Sequence, residues 1–139
     1  MLKPDWLSVM IGINDVWRQF DHPRMPEIHV RIDEYEETLR SLIAETRPQV
    51  KGLVLMTPFY IEPNKNDAMR AMMDQYGQAV ERIAREQDCL FVNTQAAFDR
   101  VLQSVYSGSL AWDRVHPNRA GHMVIARAFL QAIGFEWDR

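Results

Sequence analysis

The sequence has 139 residues, 47% hydrophobic and 25% charged, the composition of one globular domain able to bury its own core. A net charge of −3 with no run of Lys and Arg lacks the electrostatic footprint of a nucleic-acid partner. No apolar stretch reaches the roughly 18 residues of a membrane span, and the single cysteine, Cys89, excludes an internal disulfide or a cysteine metal cluster.

The start, MLKPDWLSVMIG, is too short in its apolar part and has no small-residue cleavage site for a secretory leader, so the expected compartment is the cytoplasm. Residues 6–13 (WLSVMIGI) read as a strand, nearly continuous in apolar character as parallel strands covered on both faces are. The stretch 18–29 (RQFDHPRMPEIH) reads as a long polar loop, either a lid or an excursion covering the sheet edge. Asp33 with Glu36 gives a capping-box-like helix start, with Tyr35, Leu39, Leu42 and Ile43 on one face and Pro48 at its close. Residues 50–56 (VKGLVLM) form a second strand. A helix opening near Asn66 and Asp67 carries Met69, Met72, Met73, Tyr76, Val80 and Ile83 at helical spacing, the methionines serving as core filler. Residues 89–93 (CLFVN) make a third strand with Cys89 as an inert, buried thiol. Thr94 caps a helix that turns Phe98, Val101, Leu102 and Val105 inward, and Asn118 caps a last helix that reaches about Ile133 and stops at Gly134. This alternation predicts an α/β fold with a parallel sheet, a single domain over 1–139, and chemistry at the carboxyl ends of the strands.

Two short blocks lie where that chemistry is expected. In GIND (12–15), Gly12 permits a tight turn after the first strand. Asn14 then offers a neutral N–H donor that stabilises a developing oxyanion without titrating, a contribution of roughly 3–4 kcal/mol in comparable sites. Asn14 and Asp15 equally fit the capping of a turn. In DRVHP (113–117), the Asp113 carboxylate can reach the Nδ1–H of His116, fix its tautomer and support its protonated form. Pro117 limits the conformation of His116 and keeps a helix from running through the block. Taken alone, the block also fits a loop ion pair ahead of Asn118.

Together the blocks resemble a known family. GIND resembles the GxND block, and DRVHP the DxxHP block, of the SGNH (GDSL-type) hydrolases, and the likeness covers the whole chain. The resemblance implies a flavodoxin-like, three-layer α/β/α fold of strand order 2-1-3-4-5, here missing its first two strands, and a Ser–His–Asp mechanism on a small-molecule ester. It makes His116 the general base, Asp113 its orienting acid and Asn14 the side-chain donor of the oxyanion hole. Gly12, Trp17, Tyr60 and Trp112 are the residues expected around the substrate, since aromatic walls suit acyl groups and sugar rings alike. No cofactor and no metal are expected: His22, His29 and His122 lack ligand spacing and a third partner.

The departure from the family pattern is the Gly-Asp-Ser nucleophile segment. Ser8 reads as strand, Ser41 as helix, and Ser104, Ser107 and Ser109 precede DRVHP; SGSL (107–110) follows no strand. The chain is therefore expected to be the carboxyl-terminal two-thirds of an SGNH hydrolase-type domain whose nucleophile lies outside it. Its first strand would belong mid-sheet, so its open edge is available for pairing. The alternatives are a non-catalytic SGNH-like binding module, or a fragment completed by another chain. A nucleotide or phosphate binder ranks last for want of a glycine-rich loop.

Overall fold

A computed structural model describes residues 3–136. Three parallel strands, β1 (Trp6–Val9), β2 (Gly52–Met56) and β3 (Leu90–Val92), lie side by side in chain order. Five α-helices accompany them: α1 (Ile13–Asp21), α2 (Ile32–Thr46), α3 (Ala68–Glu86), α4 (Thr94–Val101) and α5 (Arg119–Ala132). Every residue of β2 is buried, which is why GLVLM shows no polar–apolar alternation. Leu53 and Leu55, with Leu7, Val9 and Phe91, face Val16 of α1, Leu39 and Ile43 of α2, and Met73 and Val80 of α3. Val54, Met56 and Val92 face the other way, against Ala97 of α4 and Ala128 of α5. The result is the α/β/α layering that the sequence implies. At about 1.5–3 kcal/mol per buried Val or Leu, two-sided burial makes β2 the strand on which both layers depend. β1 pairs with β2 on one side; its Trp6 is 54% exposed while lying across Gly52, where a Cβ would fall 2.3 Å from the indole. No helix among the described residues is long and apolar enough to cross a membrane.

Several local expectations are corrected. β1 is four residues long, not the eight of 6–13, and the loop expected over 18–29 begins inside α1 and later winds into a 3-10 turn, Pro26–Ile28. Only Ile13, Val16 and Trp17 carry α1's apolar stripe, too few for the periodicity to stand out beside an apolar strand. The break between β1 and α1 falls at Gly12, with φ +116°, a conformation that side chains disfavour; a Cβ there would also sit 3.1 Å from Pro58 and from the Tyr35 hydroxyl. α2 starts at Ile32, with Arg31 and not Asp33 at its cap position, and no side chain bonds its first turn. Leu42 lies on its exposed side. Asn93, not Thr94, caps α4 by accepting the N–H of Ala96 at 2.8 Å. Because α4 ends at Val101, Val105 falls beyond it and is exposed. Asp67 and Asn118 cap α3 and α5 through side-chain acceptors.

The stripe of α3 also contains a charge. Arg70 lies between Met69 and Met73 with its side chain 2% exposed. It donates from Nε to Asp74 at 2.9 Å, from Nη1 to the carbonyl of Glu62 at 2.6 Å and from Nη2 to Asp99 of α4 at 2.8 Å. One guanidinium thus ties α3, α4 and the segment 57–64 together. Arg70→Ala is expected to lower unfolding free energy by about 3 kcal/mol, read from urea denaturation. Removing one member of a buried pair leaves the rest uncompensated, and partial solvent access at Asp74 and Asp99 keeps the loss at the low end of the usual range. A change below about 1 kcal/mol would show that the network carries no net stability.

Candidate active site

The block 113–117 wraps around one carboxylate. Asp113 Oδ1 accepts the backbone N–H groups of Val115 at 3.0 Å and His116 at 2.8 Å, while Oδ2 lies 2.6 Å from His116 Nδ1. The wrap requires a sharp backbone turn between the two residues. Arg114 supplies it with φ +64°, a left-handed conformation uncommon for a residue with a side chain. Burial pushes the Asp113 carboxyl up, but the bonds from the His116 ring and from the two amides, with the charge of the imidazolium, outweigh it and hold the carboxyl at about 2. The carboxylate is therefore ionised at neutral pH and can only accept, which puts the ring proton on Nδ1 and leaves the Nε2 lone pair basic. The imidazole stands at the surface, its side chain 63% exposed.

The loop is closed from behind. Asn118 donates its backbone N–H to the carbonyl of Leu110 at 2.8 Å and its side-chain amide to the carbonyl of Ser109 at 2.9 Å. Gly121 allows α5 to approach: a Cβ there would lie 2.6 Å from Pro117 and 3.0 Å from the carbonyl oxygen of Leu110.

The other block reaches the imidazole through Trp17. The Trp17 and His116 rings meet edge to face, with centroids 5.6 Å apart and planes at 84°. Trp17 lies three residues after Asn14 on α1, and residues so spaced share a helix face. Asn14 is exposed in the first turn of α1, where backbone N–H groups also lack helical partners. The helix face that carries Asn14 is thus linked to the imidazole through Trp17. Gly12 is buried at the turn into α1. The hydroxyl of Tyr35 donates to the carbonyl of Ile11 at 3.1 Å, bracing the same turn.

The segment 57–64, after β2, forms the floor between the blocks. Tyr60 is half-buried, and the Gln95 side chain accepts its N–H at 2.8 Å and donates to its carbonyl at 3.2 Å. The Tyr60 side chain lies near the Arg114 guanidinium. Ile61 donates its N–H to the Arg114 carbonyl at 3.0 Å. Trp112 departs from this group and stands 86% exposed. The His29 ring lies 2.9 Å from the His22 carbonyl, and the His22 ring 2.7 Å from the Asp21 carboxylate. His122 helps line an apolar notch of about 150 Å³ with Ile11, Pro58, Val115 and Pro117. Glu62, Arg70, Gln95 and Asp99 hold this floor and carry no motif. The one signal available was Arg70 itself, a charge set in an apolar helical stripe.

The profile of the GDSL-like lipase/acylhydrolase family matches residues 1–124. The chain belongs to that family. Among curated relatives, acetylxylan esterase from Geobacillus stearothermophilus is 66% identical over 137 residues, 99% of this chain and 63% of the relative. The crystal structure of that enzyme matches with a TM-score of 0.96 over the same shares of the two chains. An alpha/beta hydrolase enzyme from the metagenome of Lake Arreo, Spain, is 59% identical, with a TM-score of 0.94 over 96% of this chain and 61% of that one. This GDSL-like chain thus spans somewhat under two thirds of the length of these relatives. Catalytic mutants of the Geobacillus enzyme have been solved in which a serine, an aspartate or a histidine is replaced by alanine. Its aspartate and histidine are three positions apart, the spacing of Asp113 and His116. In the GDSL-like chain, Ser8 lies on β1, Ser41 on α2, and Ser107 and Ser109 in a 3-10 turn, Ser107–Ser109, ahead of the Asp113 loop.

Proposed function

We propose that this chain carries the acid–base and oxyanion components of a serine ester hydrolase acting on acetyl esters of a carbohydrate. In this reading the serine lies outside the 139 residues. Its Oγ attacks the ester carbonyl, and His116 Nε2 takes the Oγ proton. The negative tetrahedral oxygen accepts an N–H bond from Asn14. Collapse breaks the carbon–oxygen bond to the sugar as His116 returns the proton to the leaving alcohol. Water then repeats the sequence on the acyl-serine and releases acetate. Gly12, Trp17 and Tyr60 border the reacting centre, and Trp112 forms an outer aromatic face.

The observation that carries the reading is the edge-to-face contact of Trp17 with a His116 ring already oriented by Asp113, since it brings the helix face of Asn14 to the imidazole. The acetyl sugar follows from the likeness to the acetylxylan esterase. A binding module would have no use for an oriented, solvent-facing imidazole beside a neutral amide donor, so the non-catalytic alternative is not favoured. The test has two arms. The 139-residue chain alone is expected not to label with a fluorophosphonate, because none of its serines is activated. Joined to the amino-terminal part of the Geobacillus relative that has no counterpart here, it is expected both to label and to release acetate from acetylated xylose. Labelling of the chain alone would refute the external serine, and a folded but inactive fusion would refute the esterase.

A further inference from the structure

The catalytic reading uses Asp113 and His116 but leaves unexplained what keeps Arg114, the residue between them, in its left-handed conformation. Nothing intrinsic to arginine favours φ +64°, and a relaxed Arg114 would carry Val115 and His116 out of the embrace of Asp113. Besides Arg114's own N–H, which bonds the Ala111 carbonyl at 3.4 Å, two contacts oppose that relaxation, and both come from the segment after β2. The Ile61 N–H holds the Arg114 carbonyl at 3.0 Å, and the carboxylate of Glu62 pairs with the Arg114 guanidinium. Glu62 is itself buried and fixed at both ends: its Oε1 accepts the Asn64 N–H at 2.8 Å, and its carbonyl accepts from Arg70 at 2.6 Å. A nearly buried carboxylate is costly unless paired, and its charged partner here is the arginine that shapes the histidine loop.

We propose that Glu62 is a positioning residue for the His116 imidazole, acting through the guanidinium and backbone of Arg114. The proposal rests on the esterase reading, and the Glu62–Arg114 pair is its own content. Without the pair, the loop keeps its fold but the ring wanders, and a misplacement of about 1 Å at a reacting group costs on the order of a hundredfold in rate.

The experiment compares Glu62→Gln, Arg114→Gly, their double variant and His116→Ala in the fusion described above. Arg114→Gly matters because glycine tolerates the turn but cannot pair with Glu62, so it separates backbone strain from the ion pair. Each single variant is expected to lower kcat by about 10- to 100-fold with KM nearly unchanged, and the double variant to fall no further than the worse single, as for two ends of one interaction. In the 139-residue chain, proton NMR of the His116 Nδ1–H is expected to show that signal broadened or lost in both single variants. It should be intact in Arg82→Ala, which removes only the surface pair with Glu36. Full kcat in Glu62→Gln and Arg114→Gly, or additive losses, would overturn the proposal. A full-rate His116→Ala would instead overturn the esterase reading, so the two failures are distinguishable. Should Glu62→Gln fail to fold, Arg114→Gly and its NMR signal still decide.

Discussion

Replacing His116 by alanine in the fused esterase is expected to lower kcat by roughly 10⁴-fold or more, with KM changed little. The size follows from what the imidazole is asked to do. In the proposed mechanism it takes a proton from a hydroxyl that does not ionise near neutral pH and later gives one to a leaving alkoxide, each in the transition state of its own step. The ring is ready for this because Asp113 fixes Nδ1 at 2.6 Å and remains ionised, its carboxyl being held at about 2. The loss should appear in kcat, since the exposed ring contributes little to holding the ground-state ester. Stability should scarcely move, because a side chain 63% exposed buries little area. Steady-state acetate release, with circular dichroism to show an intact fold, checks both halves. Loss of less than tenfold would remove His116 from the mechanism.

Asn14→Ala is expected to lower kcat by about 10²- to 10³-fold, the usual loss for one oxyanion donor. In the proposed role the donor acts on charge that exists only in the transition state, so KM is again expected to stay close to its original value. Asn14→Asp, of the same shape, should be worse than alanine, for it sets an anion and two acceptors where an oxyanion must form. Asn14 is exposed in the first turn of α1, so either change should leave the melting temperature within a few degrees. If alanine and aspartate at this position support equal and nearly full rates, the amide only caps the turn.

How much of this was readable beforehand differs between the parts of the molecule. β2, α3 and α5 were legible because each combines strong local signals: GLVLM is continuous in apolar residues, and the helices begin at Asp67 and Asn118, which do cap them. α1 was not, since its stripe of Ile13, Val16 and Trp17 follows an apolar strand without a polar break and becomes helical through the turn at Gly12. Leu42 and Val105 follow helical spacing yet are exposed. One points away from the sheet, and the other lies past the end of α4, a matter of where neighbouring layers stop. The site shows the same division. Asp113 and His116 are close in sequence, so their spacing alone predicts their bond. Glu62 and Arg114 are 52 residues apart, and no local pattern relates them.

From its letters alone, this protein has an alternating α/β order, a family likeness carried by GIND and DRVHP, and an aspartate within reach of a histidine. These are short-range properties, set by backbone propensity, side-chain period and chain geometry over a few residues. Only the tertiary structure decided that Trp17 meets His116 edge-on, that Arg70 and Gln95 pin the segment after β2, and that Glu62 grips the loop of the histidine. Such contacts depend on how sheet and helices stack, and stacking is settled by burial summed over the whole core rather than by any one stretch of chain.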